Sequence, residues 1–239
     1  MRPEKEGIVK RLRQGAVVVT SILIAFGVDA LWEESKERRD LHNDLVNIMS
    51  ELDENRARVV YHLDLAQRIS TALDVLYVAI KTGGPTPLVA DTTAWLAHIN
   101  PTLDASLGAI DALLASGRMA VVQNPELSRR LAGLRDRVED AVEEQVQASD
   151  VYMDRVVPEL DDFDHQATRH ISDAFWSQER IPGRALEYRG QVAYPVSASL
   201  ATASNLRQTL YFVSIGELRG LGDEFDLIEE LIEAEVGGR

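Results

Sequence analysis

Residues 15–32 read Gly-Ala-Val-Val-Val-Thr-Ser-Ile-Leu-Ile-Ala-Phe-Gly-Val-Asp-Ala-Leu-Trp, and from Gly15 to Val28 they carry no charge. No other stretch of the chain is so poorly suited to water. As a helix, the run is roughly 27 Å long at about 1.5 Å per residue. A bilayer core is about 30 Å thick, so the run spans it with some snorkelling. Trp32 then falls at the far interface, where an amphipathic ring is favoured. Three placements compete: a single-pass anchor, which the flanks favour, a cleaved signal peptide, and a helix buried in a large core.

The flanks suggest an orientation. Residues 1–14 form a basic arm with Arg2, Lys5, Lys10, Arg11 and Arg13 against Glu4 and Glu6. Beyond Trp32, Lys36, Arg38 and Arg39 are mixed with Glu33, Glu34, Glu37 and Asp40. The excess of positive charge before the run predicts a cytoplasmic N-terminus, with the bulk of the chain outside the cytoplasm. Within the run, Ser21, Ala25 and Asp29 recur every four residues and share one helix face. Small residues at that spacing let membrane helices approach closely. Asp29 at the end of the stripe either reaches the aqueous interface or takes part in a packing face against a partner.

The rest of the chain is long and apolar enough for one sizeable core, with 239 residues of which 45% are hydrophobic. A net charge of −14 with no basic stripe argues against nucleic acid as a partner. The basic arm touches anionic headgroups only weakly. The absence of cysteine excludes disulfides, thiolate metal sites and cysteine nucleophiles.

After Trp32 the apolar residues take a helical period. Leu41, Ile48, Asn55, His62, Ile69 and Leu76 alternate with Leu45, Leu52, Val59, Ala66, Leu73 and Ile80 in steps of four and three, which is a heptad seam. Asn55 and His62 are its polar positions, residues that either fix register and partner number or sit at the seam edge bonded to neighbours. The helix is expected to run from the membrane to about Lys81, where Thr82-Gly83-Gly84-Pro85 stops it. Continuous from residue 15, it is on the order of 100 Å long.

Residues 82–92 then read as a loop, followed by short helices at about Thr92–Asn100 and Leu103–Ser116, the second ending at Gly117. Asn124-Pro125-Glu126 supplies an N-cap, a first-turn proline and a first-turn acid. That helix carries Leu127, Leu131, Leu134, Val138 and Ala141 towards Val157, where Pro158 either breaks it or opens another helix to about Ser177. Residues 178–196 form a long loop, and a last helix runs from about Ser197 to Val236. No β-strand run of any length is apparent. The fold class is therefore all-α: a single N-terminal transmembrane helix (15–32) continuing into an antiparallel long-helix bundle (33–239).

Three segments resemble a family of functionally uncharacterised bacterial single-pass membrane proteins. They are Val18 to Asn55, with SILIAFGVDALWEE and later SELDEN; Ala109 to Leu134, with IDALLASGRMAVVQNPELSRRLAGL; and the end of the last helix, IEELIEAEV. The resemblance implies a membrane anchor, a mostly helical remainder and a bacterial source. It brings no catalytic residues with it.

Chemistry is otherwise sparse. Asp161, Asp162, Asp164 and His165, with His170 beyond, are the best metal-like cluster. Asp162 and His165 have the spacing of half a di-metal carboxylate site, but no second such pair exists, so a solvated acidic face is the stronger reading. Gly83-Gly84 lacks the lysine and helix of a phosphate loop, and Gly-x-Ser-x-Gly is absent. The acidic stretch Glu217–Glu235 is either a solvated helix face or a docking surface for a basic partner. No cofactor is expected. The favoured expectation is a non-catalytic accessory or scaffold subunit whose partners are the lipid bilayer and other integral membrane subunits, for example of a respiratory or photosynthetic complex. The alternative is a self-assembling homo-oligomeric signalling or channel-like protein in which the seam joins copies and Asp29 faces their axis. An enzyme using Asp162 and His165 is the third reading.

Overall fold

The four-three spacing of the long seam does build a helix, and the helix is longer than the seam. In the computed structural model α1 is one continuous helix of 80 residues, Pro3–Thr82. The structure describes residues 3–160, 163, 169, 171–172 and 189–237, with side chains from residue 20 onward. At about 1.5 Å per residue α1 is roughly 120 Å long. It ends where the sequence says it must. The Gly83 N–H closes the last turn on the Ala79 carbonyl at 2.8 Å. A Cβ on Gly83 would lie 2.6 Å from both that oxygen and the Pro87 side chain, so the turn admits only glycine without rearrangement. Gly84 follows at φ +78°, in the left-handed region.

The chain then runs β1 (Leu88–Ala90), α2 (Asp91–His98), α3 (Gly108–Ser116), a short 3-10 turn (Arg118–Val121), α4 (Pro125–Val151), β2 (Gln191–Ala193) and α5 (Ala198–Gly237). The described residues are mostly helical, and the all-α expectation holds at that level. Two short strands add to it. β1 and β2 pair antiparallel with Leu88 opposite Ala193, so the two expected loops, near 82–91 and 178–196, are sewn to each other. Asp91 completes the seam between them: its buried carboxylate accepts the Arg189 and Gly190 N–H groups at 3.0 and 3.1 Å.

Ion pairs and polar contacts fix the helix directions. Arg56 of α1 meets Asp226 and Glu229 of α5. Arg130 of α4 meets Glu224, and Gln145 of α4 meets Ser214. Thus α5 runs antiparallel to both α1 and α4. The fourth position of the bundle is filled by α2, the non-helical segment 99–107 and α3, which descend alongside α1. Ser106 bonds Asn55, and Arg118 pairs with Asp44 at 2.7 Å. The result is an up-down-up-down bundle.

Each long helix contributes a seam of buried residues. In α1 every seam position from Leu41 to Ile80 is buried. In α4 the series is Leu127, Leu131, Leu134, Val138, Ala141, Gln145 and Ala148. In α5 it is Leu200, Ser204, Arg207, Tyr211, Ser214, Leu218, Leu221, Phe225, Ile228 and Ile232. A fully buried Leu, Ile or Phe contributes about 1.5–3 kcal/mol, so these three seams are the main source of stability. The α1 seam packs within the chain. The bundle core begins at Leu41, later than the expected boundary at residue 33, so 33–40 form a stalk.

Candidate functional site

Two features stand out from a plain bundle: a bare apolar length of α1, and a buried cation where α2, α4 and α5 meet.

The bare length comes first in the chain. From residue 20 to residue 39 every side chain of α1 is exposed. Ile22, Leu23, Ile24, Phe26, Val28, Leu31 and Trp32 are 49–68% exposed. They lie on all sides of the helix, and between Ile22 and Trp32 Asp29 is the one charged side chain among them. Ser21, Ala25 and Asp29 are also exposed here, in line along one face as the sequence predicts. Trp32 stands at the end of the apolar stretch with the Arg39 guanidinium carbon 5.6 Å from its ring centroid. The basic arm at 1–14 and the residues 15–19 lie outside the described side chains. Among the described residues, no helix is long and apolar enough to cross a membrane.

The buried cation is Arg207, fully enclosed in the α5 seam. Its guanidinium donates to the backbone carbonyls of Ala97, of Ile99 at 3.1 Å and of Ala148 at 3.2 Å, and to Asn100 Oδ1 at 2.7 Å. Ala97 and Ile99 close α2, and Ala148 lies one turn before α4 ends. The cation therefore rests on carbonyls at the negative poles of two helices; those of Ala97 and Ile99 lie where α2 ends, and that of Ala148 also accepts the Tyr152 N–H. The Tyr152 ring adds a cation–π face, with its centroid 4.9 Å from the guanidinium carbon. Tyr152 opens one π-helical turn, Tyr152–Val156, which follows directly on the end of α4. Burial pulls the Arg207 pKa below its usual value, opposed by neighbouring Tyr211, Tyr152 and Tyr194. It likewise pushes the phenols of Tyr152, Tyr194 and Tyr211 up, while the Arg207 charge works against the shift. Alongside, His98 Nε2 lies 2.7 Å from Tyr194 Oη, and the His98 ring packs edge-on to Phe163 at 4.7 Å.

The polar seam residues have parallel roles. Asn55, wholly buried, brackets Ser106, donating to its carbonyl at 2.5 Å and accepting its N–H at 2.9 Å. One turn earlier, Glu51 accepts from the Ser106 hydroxyl at 2.7 Å and the Ala109 N–H at 3.0 Å, at the N-terminus of α3. Gln145 accepts the Leu103 N–H at 2.7 Å and donates to Ser214 at 3.2 Å. His62 is buried and meets Tyr61 ring to ring at 5.3 Å. These groups set helix register and hold the non-helical segment in place. Of the seam polar positions, the sequence picks out Asn55 and His62. It passes over Gln145 and Arg207, although both interrupt four-three series in their own helices, which is the same signal.

The acidic stretch Glu217–Glu235 is partly spent inside the chain. Glu224 pairs with Arg130 at 2.6 Å, and Asp226 and Glu229 pair with Arg56. Glu235 accepts the Gln123 and Asn124 N–H groups at 3.0 and 3.2 Å, at the N-terminus of α4. Asp161, Asp162, Asp164, His165 and His170 lie outside the described residues. Among the described residues no group of His, Asp and Glu side chains is placed to hold a metal. No family model, curated protein or solved structure matches this chain. The likeness to single-pass bacterial membrane proteins therefore rests on the three sequence segments themselves.

Proposed function

We propose that this protein is a membrane-anchored, non-catalytic accessory subunit: α1 enters the bilayer over residues 15–32, and the bundle stands on the membrane as a scaffold against neighbouring subunits. One observation carries the reading. The stretch from Ile22 to Trp32 leaves the bundle with its apolar side chains exposed on every side. Monomers in water rarely carry such a surface, and a surface of this kind marks a membrane or protein contact. Joining residues 15–19 to it completes a span of bilayer length. The basic arm then faces the cytoplasm of a bacterial cell, and the bundle the periplasm.

The partner face follows from the same helix. Ser21, Ala25 and Asp29 form the stripe along which another membrane helix packs closely, with Asp29 meeting a donor at the interface. The α1 seam is already occupied by α5, so the scaffold engages its partners through this stripe and the outer surface of the bundle. Native mass spectrometry of the complex, gently extracted from its source membrane, tests the proposal. Co-release with unlike integral subunits at a fixed ratio is expected. A chain that always leaves the membrane as a lone monomer overturns the accessory role, and a pure homo-oligomer replaces it with self-assembly about Asp29.

A further inference from the structure

At the foot of the bundle α1 and the end of α5 border a groove lined by Leu31, Glu34, Arg38, Arg39, His42 and Val236, among others. Helical side chains lean towards the N-terminus of their helix, here towards the apolar run. The groove shows this lean. Arg39 donates to Ser35 Oγ at 3.1 Å and lies over Trp32, and Arg38 donates to Glu34. Arg39 is seven residues beyond Trp32, roughly 10 Å along the axis, yet its charge folds back to the level of that ring. With Trp32 at the interface, these cations sit in the headgroup layer, which is roughly 6 Å deep on each side of the hydrocarbon.

The stalk's charge narrows the occupant. Lys36, Arg38 and Arg39 are interleaved with Glu33, Glu34, Glu37 and Asp40. A headgroup that is only anionic gains little from such a mixture. A headgroup carrying both a phosphate and a primary ammonium matches it, with one charge for each sign. The ammonium also brings three hydrogen-bond donors that a quaternary amine lacks. The Arg38–Glu34 pair is half exposed and therefore weak, so a headgroup can separate it at low cost.

We propose that this groove seats the headgroup of an amine-bearing zwitterionic phospholipid, its phosphate on Arg38 and Arg39, its ammonium on Glu34 and its glycerol end against Leu31. The inference rests on the anchored reading above, and its test separates the two. The full chain is mixed with vesicles of phosphatidylcholine, with or without chain-matched phosphatidylethanolamine. Flotation reads the anchor, and native mass spectrometry of lipid retained after mild detergent extraction reads the groove.

The wild type is expected to float with both vesicle types and to retain the ethanolamine lipid in preference to the choline lipid. Arg38→Gln combined with Arg39→Gln should lower retention of both lipids about tenfold, as the loss of roughly one charge-assisted contact predicts. Glu34→Gln should erase the preference while leaving phosphate-dependent retention. Both variants should still float. Failure of the wild type to float overturns the anchor. Flotation with equal retention of the two lipids, a Glu34→Gln variant that keeps the wild-type preference, or a double arginine variant that retains lipid as the wild type does, overturns the headgroup site alone. Saturation of the groove by glycerophosphoethanolamine, which has no acyl chains, also overturns it in favour of a free phosphodiester.

Discussion

Arg207 shows how much one residue can hold in a bundle of this kind. A buried cation without a carboxylate is costly unless other groups replace its hydration. Here the carbonyls of Ala97, Ile99 and Ala148, Asn100 Oδ1 and the Tyr152 ring do so. In return the cation satisfies the carbonyls of Ala97 and Ile99 at the end of α2 and adds a second donor to that of Ala148. Arg207→Met keeps the apolar stem and removes every donor, so it should destabilise the fold by about 3 kcal/mol or more. Arg207→Lys keeps the charge but not the fork, and should fall between the two. Urea unfolding of the three proteins checks the order, and a Met variant as stable as the parent removes Arg207 from its central place.

The tyrosines around it give a second expectation. Burial raises their folded-state pKa values, Tyr194 most plainly. A raised pKa means that the folded protein holds the proton more tightly than the unfolded chain. The contribution is whole below the ordinary phenol range near about pH 10 and is lost as pH rises beyond it. Alkaline titration should therefore show these phenols ionising only together with loss of helical circular dichroism. Smooth ionisation with the helices intact would contradict the burial. Asn55 and Arg207 also mark what was legible at this scale. Both interrupt a seam, but the sequence picks out only Asn55 and passes over Arg207; Asn55 is engaged by Ser106 and Arg207 by the end of α2, and no local pattern names a partner so distant in the chain.

Elements were legible where their ends carry their own chemistry. The Asn124 side chain accepts the Glu126 and Leu127 N–H groups at 3.0 and 3.2 Å, and Pro125 opens α4 as its fixed φ favours. Gly117 ends α3 at φ +75°. The start of α3 was misplaced because its signal is not local. The helix begins at Gly108 rather than near Leu103, since the Leu103 N–H is taken by Gln145 and the Ser106 N–H by Asn55. Those bonds hold 103–107 out of the helix, and only the assembled bundle supplies them. The β1–β2 pairing was hidden for the same reason: three residues form a strand only when a distant loop returns to meet them. The Gly83 turn is the opposite case, a local device with a global consequence. Gly83→Ala forces its Cβ against the Ala79 carbonyl and Pro87, which should cost about 1–3 kcal/mol and loosen the path into β1. Gly84→Ala meets no neighbour, so only its φ opposes it, at about 1 kcal/mol. Thermal melts of the two variants check the ranking, and equal losses would show that the close approach at Gly83 does not matter.

For the whole molecule, α1 contributes to two regions with different energetics. From Leu41 to Ile80 it is one wall of a core, and its burial against α5 contributes to folding. From residue 20 to residue 39 its side chains are exposed, and the apolar ones among them do not belong to the bundle core. The two parts should therefore separate. A chain beginning at residue 33 keeps every core residue, the Arg56 and Arg130 ion pairs, and the Arg207 cluster. Its urea midpoint and slope should match those of the full chain measured in detergent to within about 0.5 kcal/mol of unfolding free energy, as for surface changes that touch no core. Flotation with vesicles should be lost completely. If the shortened chain unfolds early, the projecting helix supports the bundle in a way that its exposure does not reveal. If it still floats, the membrane contact lies on the bundle surface and the apolar run serves another partner. The sharp boundary at Leu41 favours an intact bundle that no longer floats, since the seam's buried period begins there, and the charged stalk 33–40 separates it from the exposed apolar length Ile22–Trp32.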